Sequence, residues 1–159
     1  MSETPNPEYL RRAVKLAIEN VVAGKGGPFA ALIVRDGVVI AEAANSVTTT
    51  NDPTAHGEVN AIRKACAALG TFSLEGCEIY SSCEPCPMCL AAIYWARLKT
   101  IYFGASQQDA AKVGFDDAFL YKEVALPIAE RSIPAHQLLQ DEAWRAFATW
   151  QEQPTKIEY

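Results

Sequence analysis

The sequence predicts an α/β domain of three layers, α/β/α, with helices on both faces of a mixed sheet. Three observations predict it. Segments with apolar residues at helical spacing alternate with short β-branched or aromatic runs, the pattern of a sheet covered by its own crossover helices. An Asp36-Gly37 pair stands between two apolar runs and joins them as an antiparallel hairpin, so the sheet is not purely parallel. The chain has 159 residues, 50% hydrophobic and 21% charged, which suits a single compact domain over residues 1–159 rather than a disordered or fibrous chain.

Each element has a local cause. Asn6 followed by Pro7 supplies a cap and a first helical residue, and Leu10, Val14, Ile18 and Val21 then recur at helical spacing as far as Gly24. Gly26-Gly27-Pro28 forbids continuation and hands over to a strand at 29–34, paired through Asp36-Gly37 with a strand at 38–43. A polar loop at 46–51 leads to Asp52-Pro53, again a cap and a first-turn proline, so a second helix is expected over about 53–68, closed by Gly70. A strand at 77–81 follows, then a helix beginning among Pro85 and Pro87 and running to Ala96, then a strand at 100–104. Residues 106–113 read as a helix and Gly114-Phe115-Asp116-Asp117 as a turn, while 120–129 fits helix or strand equally. Trp144, Phe147 and Trp150 share one face of a last helix from about Asp141, ahead of a tail starting at Pro154. That aromatic stripe suits packing, either within the chain or on a partner chain.

Charge and composition exclude several partners. Fourteen Lys and Arg against nineteen Asp and Glu leave a net charge of −5. The basic residues gather no further than Arg11-Arg12 and Arg63-Lys64, too few for a phosphate-tracking surface, so no nucleic-acid partner is expected. No apolar run approaches the roughly 20 residues that span a bilayer, so no membrane partner is expected either. The opening Met1-Ser2-Glu3-Thr4-Pro5 lacks the basic-then-apolar profile of a secretory signal. The expected compartment is the cytoplasm. Five cysteines, an odd number, argue for reduced thiols or a metal rather than a disulfide framework.

Cys86 and Cys89 stand one helical turn apart at a helix start, and His56 and Glu58 stand in the first turn of the helix before it. Thiolates and imidazole suit zinc, and a positive helix end helps keep sulfurs deprotonated. Three protein ligands leave a coordination position for water, the arrangement of catalytic zinc, whereas four close a structural site. Cys83 shares the spacing of three with Cys86 and Cys89, so a closed Cys83-Cys86-Cys89-His56 site in a protein-binding zinc module is the alternative. Such a site would leave Glu58 beside the metal without a purpose. Cys66 and Cys77, on an apolar helix face and in a strand, read as core residues, and His136 as a surface histidine.

His56-Gly57-Glu58 and Pro85-Cys86-Pro87-Met88-Cys89 match the H-x-E … P-C-x-x-C signature of zinc-dependent nucleobase deaminases. The chain thereby resembles the cytidine deaminase superfamily. Within it, the chain looks most similar to the bacterial guanine deaminases, nearly end to end. That closer likeness is carried by Gly26-Gly27-Pro28-Phe29, by Asn45 ahead of Val47-Thr48-Thr49, and by Asn51-Asp52-Pro53-Thr54-Ala55-His56. It continues in Ala92-Ile93-Tyr94-Trp95-Ala96-Arg97, Gly114-Phe115-Asp116-Asp117 and the terminal Glu158-Tyr159. One departure is Gly57, where the family commonly has alanine.

The resemblance implies a central mixed five-stranded sheet and one zinc ion per subunit, held by His56, Cys86 and Cys89. It implies hydrolysis of guanine, a small-molecule purine, to xanthine and ammonia, with Glu58 as the catalytic proton carrier; a nucleoside or tRNA adenosine deaminase is the alternative of the same chemistry. Guanine needs a carboxylate for its donors and an amide for its acceptors, which Asp117 and Asn45 can supply. Phe29 offers a face for the purine, and the likeness points to Trp95 and Tyr159 as further walls. It also suggests a homodimer whose C-terminal segments, residues 134–159, exchange so that Tyr159 of one chain closes the site of the other.

Overall fold

The structure, a computed structural model, describes residues 5–159, so most of the opening segment read above for want of a signal profile lies outside the described residues. Two compact units make up the chain, Met1–Tyr121 and Lys122–Tyr159. The first carries α1 (Pro7–Val22), β1 (Ala30–Arg35), β2 (Val38–Ala44), the single turn α2 (Val47–Thr50), α3 (Gly57–Leu69), β3 (Glu78–Cys83), α4 (Pro87–Trp95), β4 (Thr100–Ala105) and α5 (Gln107–Lys112). Then α6 (Asp117–Ala125) begins, and its last residues pass into the second unit, which also holds a 3-10 turn (Ile128–Glu130) and α7 (Gln140–Glu152). Among the described residues, no helix is long and apolar enough to cross a membrane.

Local chemistry sets the element ends. The Asn6 side chain accepts from the Glu8 N–H with Pro7 at the first helical position, and the hairpin turn places both Asp36 and Gly37 at positive φ, as two-residue hairpins require. Ser106 and Asp109 form a reciprocal capping box at the start of α5.

The sheet is mixed, in the order β2-β1-β3-β4, with β1 antiparallel to both β2 and β3, and β3 parallel to β4. The central strands β1 and β3 are buried almost throughout, as strands covered on both faces must be. Alternation along β1 sends Ala31 and Ile33 into a core with Ala61 and Ala65 of α3 and Ile93 of α4. Leu32 and Val34 enter the opposite core with Ala13 of α1 and Tyr80 of β3. Helices therefore cover both faces, and the layering matches the expectation.

Two expectations need correction. The sheet has four strands rather than five, because the ambiguous segment 120–129 is spent on α6 and the 3-10 turn, and β4 ends the sheet. The second helix starts at Gly57 rather than Pro53. Asp52 Oδ1 accepts from the Thr54 N–H and hydroxyl at 2.8 and 2.6 Å, so Asp52 closes a local turn instead of capping a helix. Helical spacing leaves open which face of α1 meets the sheet, and the structure turns the small face inward: Ala13, Ala17 and Asn20 are buried while Val14, Ile18 and Val21 are exposed. Alanine at those positions lets the helix lie close on β1 and β3, which outweighs burial of the larger residues.

In the second unit, Arg131 donates to the carbonyls of Leu126 and Val124, and Ser132 donates to Glu123 from both its N–H and its hydroxyl. The Trp144 and Phe147 rings of α7 lie 5.7 Å apart, and both are exposed.

Candidate active site

The starts of two helices meet at the site. His56 is the N-cap of α3, Cys86 the N-cap of α4 with Pro87 at the first helical position, and Cys89 follows in the same first turn. The Sγ atoms of Cys86 and Cys89 lie 3.6 and 3.4 Å from His56 Nδ1. All three donor atoms fall within 4.8 Å of one another. A tetrahedral zinc with ordinary Zn–S and Zn–N bonds requires S···N separations of about 3.5 Å, so the donor set fits that ion.

Electrostatics point the same way. A hydrogen bond from Cys89, then one with His56, pulls Cys86 down to about 4 and so favours its thiolate form. That thiolate's hydrogen bond, together with burial, pushes Cys89 well above the usual thiol range. Two neighbouring sulfurs cannot both ionise unless a cation stands between them. The imidazole of His56 is pushed up, chiefly by its hydrogen bond with Cys86.

Cys83 stands outside the cluster. Its thiol donates to the Ser106 carbonyl at 3.7 Å, and burial pushes it up to about 12. Among the described residues the metal-binding group therefore has three protein ligands, and the closed four-ligand alternative has no geometric support.

A cavity of about 400 Å³ opens beside the cluster, lined by His56, Cys86, Glu58, Asn45, Asp117 and Phe29, with Phe115 and Glu84 completing the wall. Glu58, in the first turn of α3, is buried, and that burial raises its carboxyl toward the protonated form. The Ser81 hydroxyl donates to Glu58 Oε1 at 3.4 Å. Burial likewise raises Asp117, aided by the Cys86 thiolate.

The Asn45 side chain is held in one orientation. Its Oδ1 accepts from the N–H groups of Gly27 and Val47 at 3.2 and 3.1 Å, which leaves the Nδ2 donor for whatever enters the cavity. Asn20 Nδ2 braces this corner by donating to the carbonyls of Gly27 and Asn45. Phe29 meets Phe115 edge to face, with centroids 4.7 Å apart.

Residues 4–105 match the family model for the cytidine and deoxycytidylate deaminase zinc-binding region. The chain belongs to this deaminase family. Its relatives in the family include the guanine deaminase of Bacillus subtilis, 56% identical over 151 residues, which span 95% of this chain and 97% of the relative. The crystal structure of a Bacillus subtilis guanine deaminase superimposes with a TM-score of 0.93 at 54% identity, covering 98% of this chain and 99% of the other. The tRNA-specific adenosine deaminase of Agrobacterium fabrum is 45% identical over 86 residues, covering 54% of this chain and 57% of the relative.

One residue expected in this deaminase's pocket, Trp95, does not line the cavity within the first unit. It is the last residue of α4 and is 61% exposed beneath the Arg97 guanidinium. Tyr159 ends the second unit and is 73% exposed. Conversely, Phe115 and Glu84 line the cavity without having been singled out. Phe115 belongs to the Gly114-Phe115-Asp116-Asp117 segment that carries the family likeness, whereas nothing local in the sequence marks Glu84.

Gly57 marks a close approach of α3 to the start of β1. A Cβ there would stand 2.9 Å from Ala30 Cα and 3.2 Å from the Phe29 carbonyl oxygen. Gly57→Ala is expected to force α3 away from the start of β1 and destabilise the protein by about 1–3 kcal/mol, more than the gain in helix propensity returns. A thermal melt of the zinc-loaded protein checks this, at about 2–4 °C per kcal/mol; an unchanged or higher melting temperature refutes it.

Proposed function

We propose that this chain hydrolyses guanine to xanthine and ammonia, with one zinc ion held by His56, Cys86 and Cys89 and with Glu58 as the catalytic proton carrier. The observation that carries this reading is the extent of the likeness. In sequence it runs across 97% of a guanine deaminase at 56% identity, against 57% of a tRNA adenosine deaminase at 45%. In structure it reaches a TM-score of 0.93 with a guanine deaminase against 0.62 with a tRNA:A34 deaminase, although the latter is covered to 94%.

Zinc, when bound, supplies the Lewis acidity that makes water a competent nucleophile at neutral pH. The chain's own residues do the rest. Glu58 takes a proton from the attacking water on a carboxylate oxygen, delivers it to the ring nitrogen beside the amino-bearing carbon, and passes the next one to the departing amine. Burial suits it to this work because it brings the protonated and ionised forms closer in free energy. Asp117 accepts from guanine's donors, the fixed Asn45 amide donates to its acceptors, and Phe29 and Phe115 offer aromatic surface to the purine.

Ammonia release from guanine, guanosine, adenine, cytidine and a tRNA anticodon stem-loop tests the assignment. Guanine is the expected preferred substrate, and preference for any nucleoside or for the RNA overturns it.

The working protein in this reading is a cytoplasmic homodimer, with residues 134–159 exchanged so that Tyr159 of one chain closes the partner's pocket. Support comes from the apolar side chains that the single chain leaves exposed, Trp144, Phe147, Ile157 and Tyr159 among them. Trp95 joins the pocket walls in the same arrangement. Deleting residues 154–159 is expected to lower guanine turnover by at least about tenfold, the factor for roughly 1.4 kcal/mol of lost transition-state stabilisation, with zinc still bound. Full activity of the truncated protein refutes the closure.

A further inference from the structure

We propose that Tyr121 is a positioning residue that sets where the Asp117 carboxylate stands beside the metal-ligand loop. The inference rests on the reading of Asp117 as the acceptor for guanine's hydrogens. The Tyr121 hydroxyl donates to the carbonyl oxygen of Pro85 at 2.5 Å, and Pro85 is the buried residue immediately before Cys86. Asp117 and Tyr121 are four residues apart in α6, so one helical face presents the carboxylate to the cavity and anchors itself on Pro85, which leads into the start of α4 where both sulfur ligands stand.

The helix needs such an anchor. None of the residues of α6 is fully buried, and nine residues are too few for a helix to hold itself in water. Asp117 is thus fixed from both sides, by Phe115 packed edge to face on Phe29 and by Tyr121 bonded to Pro85. The Phe115 contact is apolar and tolerates sliding, whereas a hydrogen bond to one carbonyl oxygen is directional and sets the rotation of the helix about its axis. A small rotation swings a first-turn carboxylate away from a ligand that must meet it within hydrogen-bond distance.

Tyr121→Phe removes the hydroxyl and keeps the ring. On zinc-loaded, full-length protein this variant is expected to raise the KM for guanine about 3- to 10-fold, the loss of one directional hydrogen bond, with kcat within about twofold and zinc content unchanged. A purely structural role would instead add its effect to any other lesion. The deciding comparison is therefore a double-mutant cycle in which Tyr121→Phe has no further effect on KM once Asp117→Asn is present. Should the wild-type chain fail to deaminate guanine, the reaction assigned above falls. The same cycle is then read from guanine dissociation constants measured in a Glu58→Gln background. An unchanged KM in Tyr121→Phe, losses that multiply in the double variant, or no guanine binding at all overturns the role of Tyr121.

Discussion

Glu58→Gln is expected to cut guanine turnover by about 10²–10⁴-fold, the contribution of a positioned proton carrier, while zinc content stays at one per chain. The substitution is nearly isosteric at a buried position, so packing around it is preserved. It also removes a group whose ionised form is disfavoured there, since burial is the main cause of its raised pKa. The Ser81 hydroxyl retains an oxygen acceptor in the amide. The melting temperature should therefore hold or rise slightly as activity collapses, a combination that general damage to the fold does not produce. Steady-state kinetics, metal analysis and a thermal melt on the same preparation check it. Turnover within about tenfold of wild type, with zinc bound, would remove Glu58 from the chemistry.

What the sequence disclosed about this protein divides by range. Features decided within a few residues were readable: the Asn6-Pro7 helix start, the Asp36-Gly37 hairpin, and the metal-binding spacing, because two sulfurs one turn apart on a helix start share a direction wherever that helix goes. Features decided by a competition of similar energies were not. Asp52 could cap a helix or close a turn, and the Thr54 side chain tips it to the turn. The period of α1 reveals that a face exists without revealing that Ala13 and Ala17, rather than Val14 and Ile18, meet the sheet. Segment 120–129 carries apolar residues compatible with either period, and only the assembled chain assigns its first part to a helix.

The site shows the same division. Asn45 and Asp117 were named from the hydrogen bonds guanine requires, and the structure places both in one cavity with Glu58. Glu84 faces the same cavity while accepting from the Gln107 N–H at 2.9 Å, a contact between residues 23 positions apart that no local pattern encodes. Trp95 sits where a helix end could point in several directions, and spacing within α4 does not choose among them.

The second large effect is expected from removing a ligand. Cys89 is fully buried, with its Sγ 3.4 Å from His56 Nδ1. Cys89→Ala leaves two donors, too few to hold zinc against solvent and buffer, and turnover should fall below detection. Stability should fall too, because a metal that binds only the folded chain contributes RT ln(1 + [Zn]/Kd), about 4 kcal/mol at a thousandfold excess over Kd. Truncating a small buried side chain has its own penalty, and Cys83→Ala measures it. Cys83 is also buried, but its thiol is turned to the Ser106 carbonyl, so that variant should keep its zinc and most of its activity. The gap between the two melting temperatures then isolates the metal, and a strong chelator should close it by lowering wild type and Cys83→Ala while leaving Cys89→Ala unmoved. Zinc content by mass spectrometry decides between the two architectures. If Cys83→Ala released its metal as completely as Cys89→Ala, the ion would be held by four protein ligands, and the open coordination position on which hydrolysis depends would not exist.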